Sequence, residues 1–429
     1  MRFDPRFVKT VRKEFLAAEM DPMGKERAFL DNGAGTLVCR MSAEREQLAR
    51  VDWSANVGNL FCESQGAEQT IREGRQAVAD LLGAEGPENI VSGEAATSLL
   101  FSLSYAIGRD LTGEENVVTT GYEHYANVNP WVELGNSGKI EELRFADFDR
   151  ETGELDLAKL EELVDENTVV ITATAASNVL GTRSDLKKIG KIAKSVGAYF
   201  VVDAVHHVAH GLTDVKDIGC DFLVFSGYKL FSRHGSFMYM SKKAMDELMP
   251  YKVLSSPSHG PEKWEWGTRD QAMFAAITGA VDYISWLGNP AAKSPPKPGA
   301  QRRARLVKAF EDIEEYEAGL SDLVLEGEGK VPGLTGIPGI TIYGPKDLSS
   351  AVGRDPTFSF KVEGKDDREL SKLLYDKYSL AIGAEDYFSR VPALYNQKTM
   401  LRATFVHYNT KVEALSLLKA LNDVSKGKR

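Results

Sequence analysis

Short apolar runs alternate with amphipathic stretches of helical period through most of the chain. "TVVITAT" (168–174) reads as a buried strand, and "SDLKKIGKIAKSVG" (184–197) follows as a helix. In that helix Leu186, Ile189, Ala193 and Val196 share one face, Ser184 is the expected N-cap and Gly197 the expected stop. "AYFVVDAV" and "DFLVFSG" are two further continuous apolar runs, and upstream "ENIVSG", "ATSLLFSLSYAIG" and "ENVVTTG" repeat the rhythm of strand, helix, strand. Strands that are apolar on both faces and separated by helices belong to a parallel sheet covered on both sides. One large α/β domain is therefore expected over residues 20–287.

The pattern breaks at "LGNPAAKSPPKPGAQ", where four prolines and two glycines in fifteen residues cannot continue a helix. Residues 288–299 are read as a linker. Beyond it come helical periodicity over 304–327, short strands at "ITIYG" and "PTFSFKV", a helix over 367–377 and a closing helix from about 411. This is the pattern of a smaller α+β domain over 300–429, completed by residues 1–19.

Composition narrows the classes without choosing among them. Of 429 residues, 43% are hydrophobic and 27% charged, as in an ordinary globular protein. The net charge of −10 has no acidic tail and argues against a general nucleic-acid surface. The one dense basic run, Lys297 to Arg305, is expected to be a solvated helix face. Three cysteines, Cys39, Cys62 and Cys220, make neither a disulfide framework nor a zinc spacing. No signal-peptide pattern and no membrane-spanning run are evident, so a cytoplasmic protein without nucleic-acid or membrane partners is expected.

Two motif readings are weak. "GAGTLV", with Gly33 and Gly35, lacks the third glycine of the dinucleotide fingerprint. "HHVAH" offers His206, His207 and His210, but it lacks the glutamate of the helical zinc motif and shows no third ligand, so no metal site is expected. The strand ends carry more. Ligands of open α/β sheets bind outside the carboxyl ends of the strands. His124, Asn178, Asp203, Ser226 and Lys229 all follow apolar runs. A lysine, an aspartate, an asparagine and a histidine at four such ends suit pyridoxal phosphate: the lysine for a Schiff base, the aspartate to keep the pyridine nitrogen protonated, the imidazole to stack on the ring. "SGEAATSLL" supplies a glycine turn, then Ala95 and Ala96 opening a helix whose amides can hold the phosphate.

These residues resemble the class V aminotransferase family of fold-type I pyridoxal-phosphate enzymes, most closely its cysteine desulfurase and selenocysteine lyase branch. The resemblance runs from "AFLDNGAG" to "LRATFVHYNT" and includes "EHYANVNPW" and "SNVLGT". It implies a large domain with a mixed, mostly parallel sheet flanked by helices, plus a small α+β domain. It also implies Lys229 as the Schiff-base lysine, 26 residues after the ring-nitrogen partner Asp203. By the same resemblance His124 stacks on the ring, Asn178 and His206 lie beside the phenolic oxygen, and Ser226 and Tyr228 contact the phosphate. The desulfurases usually have histidine at the place of Tyr228. Arg402 would hold the substrate carboxylate, with Ala34 and Asn178 beside it, and a bidentate guanidinium suits that task. Thr268 in "EWGTRD" would enter the partner's phosphate site, which implies a homodimer with shared active sites.

One departure decides the expected chemistry. Where desulfurases carry a sulfur-accepting cysteine, Tyr387 stands in "AIGAEDYFSR", so a persulfide-forming desulfurase is not expected. Asp386 and Tyr387 could instead transfer protons. The leading expectation is a C–S or C–Se β-lyase acting on a cysteine-type L-amino acid. A class V aminotransferase or an amino-acid epimerase, with Tyr387 as second proton donor, is the alternative within the class. Outside it stand a zinc hydrolase using "HHVAH" and a binding protein without turnover.

Overall fold

The computed structural model describes residues 3–292, 294–346 and 353–427. Seven strands form the central sheet: β1 (Ile90–Gly93), β2 (Asn116–Thr120), β3 (Glu142–Ala146), β4 (Thr168–Thr174), β5 (Tyr199–Asp203), β6 (Phe222–Ser226) and β7 (Ser236–Met240). Their order is β1-β7-β6-β5-β4-β2-β3, and only β7 opposes the other six. Every residue of β6 and β7 is buried, which explains why their runs carry no alternation. Because six strands share one direction, the ends of β1, β2, β4, β5 and β6 open on the same edge.

Several helix starts are set by short polar side chains, among them Asp4, Asp185, Asp366 and Thr410. In the helix Leu186–Val196 the cap is Asp185, which accepts from the Lys188 amide, rather than Ser184; Gly197 ends the helix at φ 76° as expected. The carboxylate reaches the third amide of the helix, while the Ser184 amide is committed to the Ala175 carbonyl. The basic run is not a solvated face throughout. Within the helix Ala300–Glu326, Arg302 is buried near Asp80 and Asp282, and Arg303 pairs with Asp214 at 2.6 Å. Half of that charge thus fastens the helix to its neighbours.

A second sheet, antiparallel, contains β8 (Ile340–Tyr343), β9 (Thr357–Val362), β10 (Gly383–Glu385) and β11 (Met400–Thr404), in the order β8-β9-β11-β10. The helix Pro5–Arg12 packs on this part, Arg12 donating to the Tyr408 carbonyl and to Glu413. Residues 28–31 also belong here by pairing. Ala28–Phe29 runs parallel to Leu380–Ala381, and Asp31 bridges to Thr404. The chain between 31 and 36 therefore joins the C-terminal sheet to the strand-end edge, where Gly33 and Thr36 meet the Tyr228–Lys229 turn. No helix among the described residues is long and apolar enough to cross a membrane.

The helix Gln271–Gly288 lies against the helix Arg40–Asp52, and a Cβ on Gly279 would run into the Met41 carbonyl. Alanine improves helix propensity by at most about 1 kcal/mol, whereas forcing a methyl into packed backbone costs about 1–3 kcal/mol. Gly279→Ala should consequently lower the thermal midpoint; an unchanged or raised midpoint in a melt would show that the two helices can part.

Candidate functional site

At the shared strand edge lies a cavity of about 660 Å³, its open mouth included. Its wall contains Ala95 and Ala96 after β1, His124 after β2, Asn178 after β4, Asp203 and His206 from the end of β5, and Ser226, Tyr228 and Lys229 from the end of β6. Sequence reasoning missed Glu94, Thr97 and Thr174 in the wall, and also His234 and Ser236, which enter because β7 returns alongside β6.

Lys229 closes a single 3-10 turn, Gly227–Lys229, and is 8% exposed. Its Nζ donates to the Gly33 carbonyl. Burial, reinforced by the charge of Arg402, brings its pKa down to about 7, so the amine loses its proton near neutrality. Asp203 accepts from the Val205 amide at 2.8 Å, and burial lifts its pKa to about 6 against the pull of that amide and of Lys229. A cation placed at this carboxylate would restore its charge.

His124 caps the turn Tyr125–Asn127 through Nδ1, which accepts from the Ala126 amide at 3.0 Å. Desolvation first, then the positive charges of Lys229 and Arg402, lowers its pKa to about 4, so it is neutral and carries its proton on Nε2. Beneath it Glu123, fully buried, accepts from Thr120 Oγ1 (2.6 Å), Asn127 Nδ2 (2.7 Å) and the Thr174 amide (2.8 Å). This carboxyl ties the ends of β2 and β4 together under the imidazole. Its place directly before His124 was the only available signal for it.

The helix Ala96–Gly108 begins at Ala95, which has no side-chain oxygen for the first amides. Ser98 Oγ accepts from the Ala95 amide at 3.3 Å, while Ala96 and Thr97, which line the cavity, receive no cap from the Ala95 side chain and open an anion site there. Tyr228 stacks on His234 with ring centroids 4.6 Å apart, and Ser226 Oγ lies 2.8 Å from Ser236 Oγ. Asn178 donates from Nδ2 to the Tyr387 carbonyl at 3.0 Å, while its buried Oδ1 has no partner. An uncapped helix start, a neutralisable lysine, a buried carboxylate and an unpartnered amide oxygen form the donor and acceptor set that pyridoxal phosphate requires.

Five expected site residues lie outside the cavity wall. Arg402, 2% exposed, donates from Nη1 to the Asn178 carbonyl at 2.8 Å and from Nη2 to Asp31 at 3.3 Å. Asp31, missed from sequence, holds the guanidinium, and Gly33 is a glycine because a Cβ there would stand 2.8 Å from the Arg402 Cζ. Ala34 is exposed, and its amide is committed to the Asp31 carbonyl at 3.0 Å. Thr268 is exposed and lines a neighbouring cleft with Ser92 and Glu94.

Tyr387 and Asp386 both lie outside the cavity wall. The Tyr387 hydroxyl donates to the Met400 carbonyl at 2.8 Å, and its ring lies 3.9 Å beneath the Arg402 guanidinium. It therefore supports the arginine and does not aim a proton at the cavity. Asp386 is exposed and accepts from the Phe388 amide. The consecutive left-handed residues Tyr387 (φ 57°) and Phe388 (φ 51°) produce this geometry by turning the tyrosine ring inward.

Asp355 supplies the third partner that "HHVAH" lacked. One donor atom each from His206, His210 and Asp355 lies within 4.8 Å of the others. The Asp355 carboxylate is already held by His207 Nδ1 (2.9 Å) and Arg183 Nε (2.8 Å), and a metal ion would sit beside that guanidinium. The cluster is read as a hydrogen-bonded network, and no metal is assigned to it.

Residues 28–417 match the family model "Aminotransferase class-V". The chain belongs to the class V aminotransferase family. It is 26% identical over 434 residues to a cysteine desulfurase of Pectobacterium atrosepticum, covering 97% of this chain and 98% of that one. Against a cysteine desulfurase of Serratia proteamaculans the identity is 26% over 435 residues, with 98% of each covered. Among solved structures, a cysteine desulfurase of Thermococcus onnurineus superposes with a TM-score of 0.81 at 24% identity over 98% of each chain. One from Escherichia coli gives 0.78 at 21% identity, again over 98% of each. The fold is that of fold-type I enzymes, and the protein is a pyridoxal-phosphate-dependent enzyme of this class.

Two outcomes follow from the geometry. Tyr387→Phe keeps the ring under Arg402 and should leave KM for the amino acid nearly unchanged. Tyr387→Ala removes a cation–π contact of about 0.5–2 kcal/mol and should raise KM roughly 2- to 30-fold. Equal loss of turnover in both variants would restore a proton-transfer role for the hydroxyl. Attachment of the cofactor to Lys229, the role expected from sequence, would require the free amine, which is present above the lysine's pKa and absent below it. The rate of borohydride-trappable attachment should hence rise with pH through about 7; a midpoint near 10, that of a solvated lysine, would refute the buried environment.

Proposed function

We propose that the protein is a β-lyase that breaks the C–S or C–Se bond of a cysteine-type L-amino acid. The observation that carries this reading is the strap at 385–389. It closes against His124, which bridges to Ser389, and it holds a tyrosine turned under Arg402 where a sulfur-accepting thiol would be needed. Cys39 and Cys220 are buried, with burial raising the pKa of both thiols, and Cys62 opens the helix Cys62–Leu82 outside the cavity wall. Cysteine desulfurase is the printed activity of the relatives, and the C–S bond is what this chain would share with them.

When bound, pyridoxal phosphate supplies the electron sink for bonds broken at the α-carbon. Ala95, Ala96, Thr97, Ser226 and Tyr228 would hold its phosphate and Asp203 its ring nitrogen, with Thr268 contributed by a second copy. Arg402, braced by Asp31, Tyr387 and the Asn178 carbonyl, grips the substrate carboxylate and so fixes which α-carbon bond is weakened. The Lys229 amine would be a base of suitable strength for the α-proton. Neutral His124 offers its Nε2–H to the departing sulfur. Tyr387 supplies no second proton, which weighs against epimerisation.

The same reading takes residues 20–287 as the cofactor-binding domain, 288–299 as linker, and 300–429 with 1–19 as the small domain. Exposed Leu60, Leu254 and Trp266, the last beside Thr268, support a homodimer. Three free thiols suit the cytoplasm.

The test is product analysis with L-cysteine, L-cystine and L-selenocysteine, with Lys229→Ala as control. A lyase releases pyruvate and ammonia with sulfide, persulfide or selenide in equal amount. Alanine as the product, or a keto acid formed only with an amino acceptor, would overturn the lyase reading, the latter in favour of an aminotransferase. In light scattering the protein should have twice the chain mass, and Thr268→Ala should weaken cofactor retention without dissociating the dimer.

A further inference from the structure

Arg302, the third residue of the helix Ala300–Glu326, is 5% exposed, and its Nε and Nη1 make no hydrogen bond. Asp80 and Asp282 flank the guanidinium at 3.5 and 3.7 Å, but other donors already hold both carboxylates. Asp80 accepts from Gln76 Nε2 at 2.7 Å and from the Gly299 amide at 2.8 Å, and Asp282 accepts from Arg45 Nη2 at 2.5 Å. The flanking acids therefore balance the charge of Arg302 without satisfying its donors. A buried donor that has lost its water and gained no partner is costly, and a partner from outside the chain relieves that cost.

Arg302 forms part of the wall of a cleft of about 820 Å³, its open mouth included, that shares no residue with the catalytic cavity. Three helices from earlier in the chain meet Ala300–Glu326 there. Arg45 comes from Arg40–Asp52, Arg72 from Cys62–Leu82 and Thr278 from Gln271–Gly288, while prolines between residues 295 and 298 close one side. The Arg72 side chain is 66% exposed, with Glu68 at a loose 3.6 Å. The acids of the same wall are engaged: Glu73 accepts from Gln69 at 2.9 Å, and Asp282 is covered by Arg45. Three guanidinium groups thus converge from three helices, and the proline rings add apolar surface without a competing amide hydrogen.

We propose that this cleft binds the oxyanion of a small organic molecule, a carboxylate or a phosphate monoester, with Arg302 as its main grip and Arg72 closing over it from the mouth. A planar guanidinium meets either head group through two parallel bonds. The cleft has the size of a small-molecule site rather than that of a bare ion, so the organic body lies along the proline wall. The occupant ties residues 295–298 to the helices Arg40–Asp52 and Gln271–Gly288. It is a ligand separate from the substrate, whatever reaction the catalytic cavity performs.

Titration calorimetry of the cofactor-loaded protein tests this, because the cofactor's own phosphate then fills the catalytic anion site. Glycerol phosphate and succinate are the probes, at constant ionic strength set with chloride. At least one should bind saturably, one molecule per chain, and the tighter of the two identifies the head group. Arg302→Lys keeps the charge between Asp80 and Asp282 but loses the planar fork, and should weaken binding roughly tenfold or more, the weight of one charge-assisted hydrogen bond. Arg72→Gln, at the exposed mouth where folding does not depend on it, should weaken binding roughly two- to fivefold. Inorganic phosphate should bind about threefold or more weakly than the better probe, which is the worth of roughly one buried CH₂; equal affinity would overturn the organic body. No saturable binding by either probe, or binding that both variants leave unchanged, overturns the site. Binding lost in Arg402→Ala but kept in Arg302→Lys would place the anion in the catalytic cavity instead.

Discussion

The desolvated amine of Lys229 is the constraint around which the rest of the molecule is arranged. An ordinary lysine near 10.5 held down to about 7 corresponds to about 5 kcal/mol of destabilised charge. Such a group survives only in a frame too rigid to let it out. The frame is the parallel sheet, whose β5 and β6 ends place Asp203 and Lys229 side by side, and the 31–36 segment, whose Gly33 carbonyl receives the Nζ proton. A strand-end site lets backbone fixed by ladder hydrogen bonds carry residues that gain nothing from burial.

The charges around Lys229 follow the same logic. His124 and His206 are kept neutral by burial and by the nearby cations, so they contribute hydrogen-bonding atoms without adding positive charge. The Arg402 guanidinium is one of the charges that lower both imidazoles. Its support comes from three directions: a carboxylate at Asp31, a carbonyl at Asn178 and the ring face of Tyr387. The C-terminal sheet thus delivers Arg402 and Thr404 from one face of β11.

How much of this was legible varied with the range of the interaction. The central strands were readable because both faces are buried and the runs are uninterrupted, and the helix Leu186–Val196 because its apolar period and Gly197 agree; its cap shifted from Ser184 to Asp185 because capping is decided by a few degrees of backbone. The Lys229–Asp203 pair was readable because both close apolar runs and because the family resemblance implies their spacing; the two strands are neighbours in the sheet. Asp31, Glu123 and His234 were not. Each acts on a partner distant in sequence or across a turn, and as isolated letters they are indistinguishable from solvated polar residues. The orientation of Tyr387 was hidden for the same reason: residue type allowed a proton donor, but the direction of its hydroxyl depends on two left-handed residues that no local preference announces.

The sequence by itself determined the sheet, the lysine and its carboxylate, and therefore the cofactor, because hydrophobic period and chain spacing are local quantities that the backbone converts into position. Only the tertiary structure decided where protons sit. The amide nitrogen of Asn178 and the hydroxyl of Tyr387 are each committed to an atom brought from elsewhere in the chain, and a hydrogen bond has a direction that composition and periodicity do not carry.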